Sequence, residues 1–194
     1  MMAEPAPKLE PPGAGIPRIE RWIGNVIIKC FTLRSRVDVE CLRAEYPLSL
    51  NHLIEIAQAF PEDAREKRVL IPRLRGLEDS SRYYSPAMVL EHVALVDRGI
   101  AETVKILGRG EVPSYKVSTA DVKPNPEVKW GVALEALKAA SEQLMDSLAS
   151  DFSSDARLAH PWFGPLNAWQ WAQFTVIHHK IHARQLQAMQ SRHG

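Results

Sequence analysis

The chain contains 194 residues, 45% of them hydrophobic, and its 24 Lys and Arg nearly balance 23 Asp and Glu, giving a formal charge of +1. This length and composition suit one compact domain with a sizeable core. A near-neutral chain lacks the basic surface of nucleic-acid-binding proteins, so we expect no nucleic-acid partner. Charges interrupt the longest apolar stretches and residues 1–17 lack a secretory signal pattern, so we expect a cytoplasmic protein with no membrane association.

Residues 1–17 form a proline-rich arm in front of the domain. They contain five prolines and two glycines among few large apolar side chains, a composition typical of a flexible segment. Such an arm is either a disordered tail or a strap that packs across a partner subunit, and both alternatives stay open. We therefore divide the chain into a flexible arm, residues 1–17, and a single helical bundle domain, residues 18–194.

The first helical pattern begins at Arg18. Apolar residues recur at three- and four-residue steps from position 19 to position 31, and the pattern extends to position 42. We predict that this helix ends before Pro47 and that a shorter helix covers residues 48–60. Cys30 and Cys41 would then lie about 16 Å apart along one helix, which is too far for a disulfide, so we expect reduced thiols.

A loop, residues 61–84, connects this region to the next helix. Pro72 and Gly76 favour an ordered loop over further helix. Its many basic side chains either bind an anion or, as we favour, pair with acidic residues of the same loop. The basic residues are Arg65, Lys67, Arg68, Arg73, Arg75 and Arg82, and the acidic residues are Glu62, Asp63, Glu66, Glu78 and Asp79.

Ser85 and Pro86 introduce the next helix. Serine is a preferred N-cap, and a proline at the first helical position loses no hydrogen bond. The apolar pattern runs to about Leu107, and Gly108 lies beyond its end. His92 has apolar neighbours three and four positions away on both sides, so we expect its imidazole to face the core.

A crossover, residues 108–124, leads to a second proline-containing helix start at Asn125 and Pro126. The helix predicted there has an apolar face but no His or Cys, so it serves as scaffold. An aromatic, turn-rich loop, residues 151–165, follows it. Within this loop His160 opens the sequence HPWFG, which either lines the mouth of a site or plugs the end of the core.

The last helix carries the strongest local signals in the chain. Asn167 is a good N-cap, and Gln170 stands three positions later, so the two side chains can form a capping box. Leu166 and Trp171 are placed to form a hydrophobic staple across this helix start. No Gly or Pro interrupts the run before Gly194.

Three histidines lie close together in this helix. His178 and His182 are four residues apart, which places their Cβ atoms about 5–6 Å from each other on one helical surface. One cation could bind both imidazoles, whereas His179 points about 100° away and receives the lesser role. The pattern is not the HExxH of zinc proteases, because His179 occupies the position of the catalytic Glu. The alternative is a buried, hydrogen-bonded histidine cluster without metal.

No run of alternating apolar and polar residues bounded by turns appears in the sequence, so we expect no substantial sheet. The predicted fold is all-α: a four-helix bundle with long crossover connections and an extra N-terminal helical segment.

A histidine early in the second bundle helix, followed far downstream by HxxxH on the last helix, resembles the DinB-like superfamily of metalloenzymes. The loop LIPRLRGLEDSSRYYSPAMVLEH and the approach HPWFGPLNAWQW are also similar to that family, over residues 48–190. The resemblance implies a divalent metal, zinc or nickel, held by His92, His178 and His182, with positions left for water or substrate. Whether His179 or His160 contributes stays open.

The resemblance further implies a hydrolase or a thiol-dependent transferase, acting on a small-molecule substrate or a low-molecular-weight thiol. Three neutral ligands would leave the full charge of the cation to activate water or a thiol. We expect Trp162, Trp171 and Arg82 near the rim of the site. The alternative function is a non-catalytic bundle that acts as a dimeric partner-binding or structural protein, and a homodimer is compatible with either.

Overall fold

The computed structural model describes residues 7–34 and 38–193, and most of them are helical. The helices are α1 (Arg18–Arg34), α2 (Val39–Gln58), α3 (Pro86–Gly108), α4 (Trp130–Ser147) and α5 (Ala168–His193). The strands are β1 (Val69–Leu70), β2 (Tyr83–Tyr84), β3 (Arg157–His160) and β4 (Gly164–Asn167), and short 3-10 turns lie at Glu62–Ala64 and Asp79–Ser81.

Helices α2 to α5 form the bundle. α3 packs along both α4 and α5, and α2 packs along α5, so that α3 and α5 occupy the centre. The connections from α2 to α3 and from α3 to α4 are long, as predicted. Helix α1 has few contacts with the bundle and is the extra N-terminal segment. The predicted fold class is confirmed.

The predicted end of the first helix at Pro47 is wrong. Helix α1 ends at Arg34 and α2 begins at Val39, where the carboxylate of Asp38 accepts a hydrogen bond from the Cys41 amide at 2.9 Å and caps α2. Pro47 lies inside α2, where its missing N–H removes one backbone hydrogen bond. The apolar face of α2 offsets this loss, because Tyr46, Leu50 and Leu53 are all buried. The two cysteines therefore lie on different helices, and Cys41 is free and exposed.

The predicted helix start at Asn125 and Pro126 is also wrong. Asn125 caps only a turn, accepting the Glu127 amide at 3.0 Å. Helix α4 begins at Trp130, whose amide donates to the carboxylate of Glu66 at 3.0 Å. A distant acidic side chain thus supplies the cap that the local sequence lacks. The predicted starts at Arg18, at Ser85 and at Asn167 are confirmed: α1 begins at Arg18, Ser85 accepts the Met88 amide at 3.2 Å, and Asn167 and Gln170 form the capping box of α5.

The loop before α5 is more regular than predicted. Strands β3 and β4 pair antiparallel, with His160 opposite Gly164 at the turn. Gly164 has φ +71°, which glycine adopts without strain. Each described strand has two or four residues, so the prediction of no substantial sheet is confirmed for the described part of the chain.

Residues 7–17 lie along the loop that precedes α3. The amides of Gly13 and Gly15 donate to the carboxylate of Glu78 at 2.8 and 3.1 Å, and the Glu10 amide donates to Asp79 at 2.9 Å. Ile16 is buried. This part of the arm therefore contacts its own chain. Among the described residues, no helix combines the length and the apolar character that crossing a membrane requires.

The position of Pro47 inside α2 gives a stability prediction. Replacing Pro47 by Ala restores the amide that can bond to the Arg43 carbonyl one turn earlier, and we expect a gain of about 1–2 kcal/mol after the unfolded-state entropy of proline is counted. Urea unfolding measures this gain. The adjacent Leu48→Ala, at a side chain that is 70% exposed, is the control and should change stability little. A loss of stability in Pro47→Ala would show that α2 is built around the proline.

Candidate metal centre

The structure brings together His92, His178 and His182 in one buried cluster. The Nε2 atoms of His178 and His92 are 3.2 Å apart, and those of His182 and His178 are 3.0 Å apart. One nitrogen of each ring lies within 4.8 Å of the other two, so the three could hold a metal ion. A tetrahedral zinc with Zn–N bonds of about 2.0–2.1 Å needs nitrogens separated by about 3.3 Å, which these spacings resemble.

Helix capping places these side chains. The start of α3 at Ser85 puts His92 on the buried face two turns later. At the start of α5, Asn167 and Gln170 exchange hydrogen bonds of 2.9 and 3.0 Å, so the predicted capping box is present. The spacing of four residues then stacks His178 and His182, whose ring centroids are 4.4 Å apart.

The hydrogen bonds of two of these histidines define where their protons lie. Nδ1 of His92 is 2.7 Å from the carbonyl oxygen of Val122, which can only accept, so Nδ1 donates. Nδ1 of His182 is 2.6 Å from Oε1 of Gln185. The amide nitrogen of Gln185 donates to the Ser81 carbonyl at 2.7 Å, so its Oε1 must be the acceptor for His182. Both neutral rings therefore present a bare Nε2 lone pair to the centre of the cluster.

His178 completes the cluster and is incompletely bonded by protein groups. Its Nε2 faces both bare lone pairs, but a single proton there could satisfy only one of them. Its Nδ1 is buried and has no hydrogen-bond partner among the described residues. A cation at the centre would accept all three lone pairs at once. The donor set therefore fits a divalent metal bound by imidazoles.

Burial keeps these imidazoles neutral. Desolvation lowers the pKa of His92 to about 4, despite its bond to the Val122 carbonyl. Desolvation also holds the pKa of His178 and of His182 well below the ordinary value. The neighbouring histidines lower both pKa values further, because two positive charges in this small volume would repel each other. Neutral imidazole is the form that binds metals, so protons compete weakly for the site at neutral pH.

An ion pair between the partly buried Lys123 and the buried Glu78 lies beside the cluster, and the sequence did not predict it as part of the site. Nζ of Lys123 is 3.2 Å from the carboxylate of Glu78 and donates to the hydroxyls of Ser80 and Ser81 at 2.6 and 3.0 Å. Burial opposes the charge of Glu78, but the Ser80 hydroxyl and the Lys123 ammonium bring its pKa below the ordinary value. No local motif marks this pair, because its members are 45 positions apart.

His179 lies outside the cluster. Its Nε2 is 2.9 Å from the carboxylate of Asp97, and its Nδ1 is 2.9 Å from the hydroxyl of Ser49. Tyr46 donates to the same Asp97 oxygen at 2.8 Å, and burial together with the Asp97 charge raises the pKa of this phenol, so it keeps its proton. His179 and Asp97 are fully buried. The structure thus gives His179 a place in a separate polar network that joins α2, α3 and α5.

His160 is also separate from the three clustered histidines. Its Nδ1 accepts the Trp162 amide at 3.1 Å within the hairpin turn. Its ring stacks on Phe163, with centroids 4.7 Å apart, and contacts Trp171 and Phe174. Because this aromatic surrounding excludes water, burial lowers the pKa of His160 to about 3.

A cavity of about 620 Å³ opens beside the cluster. The four residues His92, His178, His182 and His160 all line it, together with Pro161, Trp162 and Phe163 of the hairpin turn. Because His160 also packs on buried aromatic side chains of α5, the turn both lines the cavity and closes the end of the core. Of the three expected rim residues, Trp162 and Trp171 line the cavity.

The expectation for Arg82 is wrong. Its guanidinium binds Asp79 at 2.7 Å and the Ile71 carbonyl at 2.9 Å, away from the cavity lining. Lys67 likewise pairs with an acidic residue of the same loop, Asp63, at 2.7 Å. These two pairs match the prediction that basic residues of this loop bind its acidic residues. Arg73 pairs instead with Glu20 of α1, and Arg68 pairs with Glu127, so the prediction holds only in part.

Comparison with known proteins shows the fold. No protein-family model matches the sequence, and no curated protein matches it. The structure is similar to the solved structure described as "Crystal structure of TT2238, a four-helix bundle protein", with a TM-score of 0.56 and 23% sequence identity over 78% of this chain and 98% of that chain. The class of protein is therefore a four-helix bundle. Here the bundle is extended by an N-terminal helix and contains a buried three-histidine cluster.

The polar network around Asp97 gives a second stability prediction. Tyr46→Phe removes the hydroxyl that donates to this buried carboxylate, and we expect a loss of about 1.5–3 kcal/mol in urea unfolding. Tyr83→Phe, at a half-buried tyrosine, is the matched control and should change stability by less than about 0.5 kcal/mol. Equal stability of Tyr46→Phe and the wild type would mean that water replaces the lost donor.

His160 gives a prediction for pH dependence. In the unfolded chain its pKa returns to about 6.5, so between that value and about 3 the unfolded state binds more protons. Stability is therefore lost as the pH falls below about 6.5, by up to about 1.4 kcal/mol per pH unit. His160→Asn retains an acceptor for the Trp162 amide without this titration. Urea unfolding at about pH 7 and about pH 5.5 should show a smaller loss in the variant, whereas equal losses would contradict the assignment.

Proposed function

We propose that this chain is a DinB-like metalloprotein that holds one divalent cation on His92, His178 and His182. The observation that carries the proposal is the convergence of Nε2 lone pairs, two of which are directed by hydrogen bonds on the opposite ring nitrogen. Such outer contacts are typical of metal-binding histidines, because they select the tautomer and hold the ring. The bundle fold and the histidine spacing support the family assignment.

Zinc or nickel suits this donor set best, since both accept several imidazole nitrogens. The bound cation would act as a Lewis acid and supply a water-derived nucleophile or a thiolate at neutral pH. We propose hydrolase or thiol-dependent transferase chemistry, with a small molecule or a low-molecular-weight thiol as the reaction partner. The neutral ligands support this reading, because they leave the charge of the cation uncompensated.

The residues of the chain itself would orient the site and limit its water. Val122 and Gln185 hold two of the imidazoles through their Nδ1 protons. Phe174 covers His178, with ring centroids 5.8 Å apart, and restricts water on that side. The Lys123–Glu78 pair carries no net charge, so it leaves the field of a cation largely unchanged.

The second candidate is a non-catalytic, dimeric bundle in which histidines serve only as core polar groups. The His179 network favours it, because here a buried histidine bridges two helices with both ring nitrogens bonded. His178 contrasts with this pattern, since its Nδ1 has no partner among the described residues. A homodimer stays a prediction, supported by the exposed Ile19 and Trp22 on α1.

Metal content tests the proposal. We expect about one equivalent of zinc or nickel per chain, by mass spectrometry of protein purified without a metal-binding tag, and near-complete loss in His178→Ala. The exposed His52 provides the matched control, and His52→Ala should keep the metal. Metal-free wild type that also fails to take up added zinc and nickel would contradict the proposal and favour the structural bundle.

A second variant separates coordination from packing. Gln185→Met preserves volume but removes the acceptor for Nδ1 of His182, and loss of such an outer contact weakens metal affinity by about 10–100-fold. Competition with a chromogenic chelator measures this change. Unchanged affinity would show that Gln185 does not support a metal ligand.

A further inference from the structure

The cavity beside the histidine cluster is too large to be a packing defect. Packing defects in protein interiors are rarely larger than a water molecule, whereas this space measures about 620 Å³ and opens to solvent on one side. That volume lies within the range of small-molecule pockets, about 300–1,000 Å³. A ligand of matching shape is therefore expected beside the histidines.

Three parts of the chain supply an apolar wall. Helix α1 contributes Ile23 and Ile27, the hairpin turn contributes Phe163, and α5 contributes Ile177 and Ile181. Both isoleucines of α1 are partly open to solvent, at 45% and 42% exposure. The wall lacks hydrogen-bonding groups on these side chains, so it favours a hydrocarbon over a sugar or a nucleotide.

Helix α1 is seated closely against the hairpin turn. A Cβ atom built on Gly24 would lie 2.5 Å from Cε1 of Phe163, so any larger residue at this position would displace the Phe163 ring. Glu20, one turn earlier, accepts hydrogen bonds from Arg73 at 2.6 Å and from the Gly76 amide at 3.0 Å. These contacts hold α1 in place as a wall of the cavity.

Charged side chains around the cavity lie in two positions. The exposed charged residues that line it are Arg75, Lys116, Arg184, Glu102 and Asp121. Glu20 also lines it and is bonded to Arg73. Glu78 and Lys123 are bonded to each other. A polar ligand body would thus find few partners along the apolar wall. The polar atoms of a ligand would find binding partners only at the histidine cluster or at the end of the cavity that opens to solvent.

From this arrangement, and resting on the proposed metal site, we propose that the cavity binds a single-chain amphiphile. Its anionic head is a carboxylate placed at the three-histidine centre, and its tail is an unbranched hydrocarbon along α1 and α5. The head complements a cation whose three ligands are neutral. The tail loses its contact with water where it packs against Ile27, Ile181 and Phe163, and each buried methylene adds to the free energy of binding.

The test is calorimetric titration of zinc-loaded wild-type protein with straight-chain carboxylates from acetate to decanoate. Each added methylene should tighten binding by about fourfold until the tail fills the wall. Equal affinity for acetate and octanoate, on protein that holds its metal, would overturn the proposal while leaving the proposed function intact.

A matched pair of variants on α1 locates the tail. Ile27→Asp places a charge on the cavity wall, and octanoate should bind at least about tenfold more weakly. Ile19→Asp changes the same helix at a side chain that is 69% exposed and does not line the cavity, so it should bind as the wild type does. Circular dichroism confirms that both variants fold. Equal weakening in both, or in neither, would overturn the placement of the tail.

Octanol, which lacks the anionic head, separates the two proposals. Octanoate should bind more tightly than octanol to zinc-loaded protein, and this preference should vanish in His178→Ala. If octanol binds as tightly as octanoate to zinc-loaded protein, the assignment of the head is overturned. A wild type that takes up no metal would overturn the proposed metal site and, with it, the placement of the carboxylate head. If longer carboxylates still bind such a protein more tightly, only the binding of the hydrocarbon tail in the cavity would stand.

Discussion

The bundle depends on a buried carboxylate at its centre. Asp97 of α3 is fully buried, and one of its oxygens accepts hydrogen bonds from Tyr46 of α2 and from His179 of α5. A buried charge without such partners costs several kcal/mol, so the helices must keep these groups together. Any slide of α5 along α3, or rotation about its own axis, would break the contact with His179.

That constraint also orients the histidine cluster. His178 follows Ile177 and precedes His179, so its side chain points about 100° away from the Asp97 contact. With His179 held on one side of α5, His178 and His182 must turn toward His92. Two separate cross-helix contacts between α3 and α5 therefore determine both the rotation and the axial position of the last helix. The network in which both ring nitrogens of His179 are bonded thus positions the cluster in which Nδ1 of His178 has no partner among the described residues.

The sequence predicts the parts of the molecule that depend on local signals. The capping box of α5, the Ser85 cap of α3 and the pairing of His178 with His182 involve residues within four positions of each other. Adding His92 required a resemblance to a family and the apolar surroundings of that residue.

The features that the sequence did not predict depend on contacts between residues far apart in the chain. Glu66 caps α4 from 64 positions away, Gln185 reaches the Ser81 carbonyl across 104, and His92 bonds to the Val122 carbonyl across 30. Pro47 misled the prediction for a related reason. A proline is a local signal to end a helix, but the burial of Tyr46, which lies on the same helix and bonds to Asp97, favours continuation.

Helix α1 changes what the bundle can bind. The packing of α2 to α5 forms the bundle core without it, since α1 has few contacts with those helices. In its absence, Ile177, Ile181 and Phe163 would border an open groove. With α1 seated on the hairpin, the same side chains face Ile23 and Ile27 across the cavity, which stays open to solvent on one side. An apolar wall that ends at a cluster of Nε2 lone pairs suits the ligand with one anionic end that we propose, and α1 is the element that would supply the second side of its binding site.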